Sequence, residues 1–112
     1  MAGILVGITM MPASPASAAS ASCGIPEGGY GCSTGYLAAS SKIALTTRGT
    51  NNYKTVTCRA IDPGGTTRAT LSNSSPNATS KNFTVPNNRY FLSCTRTVTT
   101  GGGGGALYNT HV

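Results

Sequence analysis

KTVTCRAIDPGGTTRATLS, residues 54–72, decides how the rest of the chain is read. From Lys54 to Asp62, Val56, Cys58 and Ala60 alternate with polar neighbours, the period of a half-buried strand. Pro63-Gly64-Gly65 then supplies turn chemistry, and Thr66 to Ser72 resumes as a second, Thr-rich strand. The same signals recur on both sides. KIALTTR (residues 42–48) places Ile43, Leu45 and Thr47 on one face, and Arg48-Gly49-Thr50-Asn51-Asn52 turns the chain. KNFTV (residues 81–85) is built around Phe83 and Val85 and is stopped by Pro86-Asn87-Asn88. RYFLSCTRTVT (residues 89–99) is the longest strand, with Tyr90, Leu92 and Cys94 facing one way. The glycines 101–105 read as a flexible spacer. The tail ALYNTHV is either a sixth strand or free.

Composition agrees. The chain has 112 residues, enough for one small domain, with 15 Gly, six Pro, no Trp and only 9% charged residues. Twelve Ser and 17 Thr make up about a quarter of it. The expected architecture is all-β: a small antiparallel six-stranded β-sandwich, immunoglobulin-like, over residues 22–100. Its core is expected from Ile43, Leu45, Val56, Cys58, Ala60, Leu71, Phe83, Val85, Leu92 and Cys94.

Residues 1–21 read as a secretory signal peptide. An apolar stretch (Ile4, Leu5, Val6, Ile8, Met10, Met11) precedes small residues, and both Ala16-Ser17-Ala18 and Ala19-Ser20-Ala21 fit the cleavage rule. The mature chain would begin at Ala19 or Ser22. No Lys or Arg precedes the apolar stretch, which points to a translation start upstream of Met1. The stretch is too short for a membrane anchor, which takes about 20 apolar residues.

Export makes the four cysteines a disulfide framework for a secreted, extracellular protein. Three connectivities are possible. Cys23–Cys32 with Cys58–Cys94 is favoured, because Pro26, Gly28, Gly29 and Gly31 let the first loop fold back and the second pair would pin two strands. A zinc site fails on spacing: there is no Cys-x2-Cys pair and His111 is remote.

Glu27 and Asp62 are the only acids and His111 the only imidazole, so the chain has few tools for acid–base chemistry. Asp62, before Pro63-Gly64, reads as a turn cap. The glycine run lacks the Lys-Ser/Thr of a phosphate loop. No catalytic residue, cofactor or metal is expected. The net charge of +6 comes from eight scattered cations (Lys42, Arg48, Lys54, Arg59, Arg68, Lys81, Arg89, Arg96) with no run and no interleaved aromatics, so nucleic acid is not expected as a partner. Binding by loops on a rigid scaffold remains. The Cys23–Cys32 loop is the candidate surface, with Tyr30 as anchor and Pro26 and Glu27 beside it.

CRAIDPGG from Cys58, the Thr-rich strand after it and RYFLSC ending at Cys94 resemble the tendamistat-type α-amylase inhibitors, small secreted Streptomyces proteins. The resemblance covers residues 54–95. It implies a six-stranded β-sandwich with two sequential disulfides and inhibition of a glycosidase by steric occlusion. The family's Trp-Arg-Tyr triplet between the first two cysteines is absent; only Tyr30 could stand for part of it. The expected function is a secreted, monomeric, non-catalytic protein-binding module directed at an α-amylase or other glycosidase. The alternative is an adaptor or structural subunit of a secreted assembly that docks through residues 101–112. Carbohydrate binding would need exposed aromatics, for which Tyr30, Tyr36, Tyr53 and Tyr108 are available.

Overall fold

A computed structural model describes residues 19–109 of the chain. The apolar stretch, the small residues up to Ala18, and His111 lie outside the described residues. Nine strands and no helix occur among them: β1 (Ser20–Gly24), β2 (Gly31–Ser33), β3 (Leu37–Ala39), β4 (Lys42–Arg48), β5 (Val56–Ile61), β6 (Thr67–Asn73), β7 (Thr79–Thr84), β8 (Asn88–Arg96) and β9 (Gly104–Tyr108). They form two antiparallel sheets. One has the order β1-β9-β4-β7; in the other, β8 pairs with β5 on one side and with both β2 and β3 on the other, and β6 lies beyond β5.

The described residues form nine strands rather than six. β2 and β3 are three residues each, too short for alternation to show, and they exist because they pair with the edge of the long β8. β1 is SASCG, without branched or aromatic residues. Part of it falls in the segment read as signal peptide, yet Ala21 and Ser20 pair with Leu107 and Tyr108. Each of the five strands given bounds from the sequence is present, with ends shifted by up to three residues. β4 matches the reading at both ends.

The glycine run also departs from expectation. Residues 101–105 are not a free spacer. Gly103 and Gly104 are buried, and Gly104–Tyr108 is the strand held between β1 and β4. Gly105 stands on the inner face of its sheet, directly against the other sheet. A Cβ there would lie 2.5 Å from Cys58 Sγ, 2.9 Å from Cys94 Sγ and 2.5 Å from the Thr46 carbonyl. Only glycine leaves room for the buried disulfide of the facing sheet.

The core contains the expected Ile43, Leu45, Val56, Cys58, Ala60, Val85, Leu92 and Cys94, joined by Ile25, Ala39, Ala69, Tyr90 and Leu107. Leu71 and Phe83 are only partly buried. Buried hydroxyls are satisfied: Thr47 Oγ1 donates to the Leu71 carbonyl of the facing sheet at 3.0 Å, and the Tyr90 hydroxyl donates to the Pro86 carbonyl.

The disulfides are Cys23–Cys32 and Cys58–Cys94. The first joins β1 to β2 and so ties the two sheets together. The second links β5 to β8 inside one sheet, between residues that face each other directly in register. By loop entropy they stabilise the fold by about 2–4 kcal/mol each, a large fraction for so small a core.

Candidate functional site

Three connections lie at one end of the molecule: residues 25–30 (β1 to β2), 49–55 (β4 to β5) and 97–103 (β8 to β9). The first carries the predicted site residues. Ile25 is buried, and its amide donates to the Gly103 carbonyl at 2.9 Å. Pro26-Glu27-Gly28-Gly29 forms a turn closed by Gly29 N–H on the Pro26 carbonyl at 2.9 Å, and the Gly28 amide donates to Thr99 O at 2.8 Å. Pro26 and Glu27 are exposed on this turn, and Tyr30 follows with 63% of its surface exposed. The structure therefore brings Pro26, Glu27 and Tyr30 to one tip.

Arg96, grouped with the scattered surface cations in the sequence, organises that tip from beneath. It continues the inward phase of Tyr90, Leu92 and Cys94 and is only 5% exposed. No carboxylate among the described residues pairs with it. Nε donates to Gly29 O at 3.0 Å and Nη2 to Pro26 O at 3.0 Å. Nη1 reaches Gly101 O at 2.6 Å, Gly102 O at 3.0 Å and, more weakly, Thr100 O at 3.4 Å. The Arg96 amide also donates to Tyr30 O at 2.8 Å. A planar fork of five N–H groups suits this task, because it can hold carbonyls from two loops in fixed directions. Turning consecutive carbonyls toward one guanidinium puts Gly101 at φ +83°, a backbone state that residues with a Cβ rarely adopt. The glycine run thus has a structural reason that its composition hides.

The third loop leans on the same glycine segment. Asn52 Nδ2 donates to Thr100 Oγ1 at 3.2 Å, and buried Thr50 accepts the Lys54 amide at 2.7 Å. Tyr53 is held at φ +62° with its side chain 67% exposed. A tyrosine in the left-handed region costs conformational energy and persists only where neighbours enforce it. Here the Tyr53 amide is fixed on Thr50 O at 3.0 Å. The tip thus carries a second exposed tyrosine. Of the other two, Tyr36 packs edge-on against Phe91 with the Arg89 guanidinium over its ring, and Tyr108 lies exposed on β9.

The two acids are far apart in role. Glu27 sits on the tip, whereas Asp62 caps its turn: Oδ1 accepts the Gly64 and Thr66 amides, each at 3.0 Å, and Oδ2 accepts Arg68 Nε at 3.1 Å. The Thr66 amide, then the Arg68 side chain and the Gly64 amide, hold its carboxyl below the ordinary value, against desolvation that raises it. Asp62 is committed to the fold. So are residues 104–108, one part of the 101–112 segment through which an adaptor would dock, because they form an interior strand. No buried polar side-chain atom lacks a partner among the described residues. No family model and no curated protein matches this chain.

Proposed function

We propose that the chain is an exported, non-catalytic protein-binding module that occludes the active-site cleft of a secreted glycosidase of the α-amylase class, with Tyr30 as its anchor. One observation carries this reading: an exposed tyrosine on a turn that a disulfide and a buried arginine both hold still. Large, rigid, amphipathic side chains on pre-ordered loops bind with little ordering cost, which is why tyrosine dominates evolved loop paratopes. Two disulfides support an oxidising, extracellular setting. The scaffold reads as an immunoglobulin-like sandwich. From β4 to β8 the chain crosses three times between the sheets, β4 pairing β7 while β5 pairs β6 and β8, an order of the Greek-key kind.

The test is inhibition of a panel of secreted α-amylases by the oxidised protein. Inhibition that weakens by tenfold or more in Tyr30→Ala, about 1.4 kcal/mol, is the expected outcome. No inhibition at micromolar protein would overturn the glycosidase reading, and equal inhibition by Tyr30→Ala would move the anchor elsewhere.

A further inference from the structure

Cys32, Cys94 and Cys58 stand in one row across three neighbouring strands. Cys32 of β2 lies opposite Cys94 of β8, and Cys94 lies opposite Cys58 of β5. Cys23 meets this row from β1 of the facing sheet, in register with Gly105, whose missing side chain leaves the space that the sulfurs fill. The two disulfides are therefore neighbours rather than separate staples. The Sγ atoms of Cys23, Cys32 and Cys94 all lie within 4.8 Å of one another. Their burial differs: Cys58 and Cys94 are fully buried, whereas Cys23 and Cys32 are partly exposed.

We infer that the two bonds form a single thiol–disulfide exchange site, which takes electrons from a dithiol at Cys23–Cys32 and delivers the free thiol to Cys58. In the first step a dithiol reduces Cys23–Cys32. It leaves as its own disulfide and gives two electrons and two protons to the two cysteines. In the second, the Cys32 thiolate attacks Cys94 Sγ. The Cys32–Cys94 bond forms and the Cys94–Cys58 bond breaks. Its electron pair departs on Cys58 Sγ, which takes the proton that Cys32 gave up, so this step consumes no electrons. Opposite residues on antiparallel strands have Cα atoms about 4.5–5.5 Å apart, inside the span that a disulfide bridges, so Cys32 can bond Cys94 without moving either strand. Solvent access makes Cys23–Cys32 the point of entry, since a thiol must reach the sulfur it attacks. The product has lost the bond between the sheets and the covalent closure of the Tyr30 loop, and it keeps one bond inside the β2-β8-β5 sheet. The inference stands on the cysteine row and is independent of what the loop binds.

The test is a disulfide map. Oxidised protein is treated with one equivalent of dithiothreitol, quenched in acid, alkylated and digested. The expected product links Cys32 to Cys94 and carries alkyl groups on Cys23 and Cys58. A product that retains Cys58–Cys94, with Cys23 and Cys32 alone alkylated, would overturn the inference. A statistical mixture of pairings, the mark of exchange in the unfolded chain, would do the same. The variant Cys23→Ser tests the second step without reductant. It should divide its alkylation between Cys32 and Cys58, and alkylation of Cys32 alone would refute the transfer.

Discussion

Replacing Arg96 by methionine removes every side-chain bond that joins the Pro26–Gly29 turn to the glycine loop while keeping most of the buried volume. Four of the five contacts are 2.6–3.0 Å long and the fifth is 3.4 Å. Hydrogen bonds to a charged donor contribute about 1.5–3 kcal/mol each. The full sum is not expected, for two reasons. Burying a guanidinium without a counter-ion is itself costly, and the substitution relieves that cost. In addition, the released carbonyls of the exposed Pro26 and Thr100 can be hydrated. A net loss of about 3 kcal/mol follows, on the order of half the stability of a domain this size. Urea denaturation with both disulfides intact should show it. For a slope of about 1 kcal/mol/M, the midpoint falls by about 2–3 M. Arg96→Lys should lose most of the same stability, because an ammonium group cannot span carbonyls of two loops. A midpoint within about 0.5 M of the parent in both variants would refute the role given to the guanidinium.

Other outcomes follow from single contacts. Gly105→Ala forces a Cβ to 2.5 Å from both Cys58 Sγ and the Thr46 carbonyl, so it should destabilise by about 3 kcal/mol or more and lower the yield of correctly paired protein, read by disulfide mapping. Asp62 is held below the ordinary carboxyl value, chiefly by the Thr66 amide. Its contribution is therefore complete above the unfolded value near pH 4 and is lost as the pH falls through the folded one. Thermal melts should show stability declining on acidification over that window, with a smaller decline in Asp62→Asn. Under the export reading, N-terminal sequencing of secreted protein should begin at Ala19. Its amide and carbonyl bond Asn109 at 3.0 and 3.1 Å, whereas a start at Ser22 would strip Ser20 and Ala21 from β9.

What the sequence showed depended on how strongly each element is patterned. β4 is legible to the residue because Ile43, Leu45 and Thr47 alternate without interruption between turns. The Asp62 turn cap and the turn of the first loop were also readable, since Pro, Gly and Asp carry their geometry locally. β2 and β3 were not: three residues hold no period, and tertiary pairing with β8 alone makes them strands. The glycine run misled because composition cannot separate freedom from forced close approach. Gly105 is glycine for the sake of two sulfurs that lie 47 and 11 positions away in the chain. Arg96 could have been found. It falls in phase with Tyr90, Leu92 and Cys94, and a cation on the inward face of a strand calls for buried acceptors. The Tyr53 backbone left no local signal at all.

Held by Arg96 and the glycine loop, the Tyr30 tip is expected to be rigid before any partner arrives. Amide hydrogen exchange of the free, oxidised protein tests this rigidity most directly at Ile25 and Gly28, whose amides donate to Gly103 and Thr99. Protection approaching that of the β5 and β8 core amides is the expected result. Exchange at the rate of an open loop at both positions would contradict the claim.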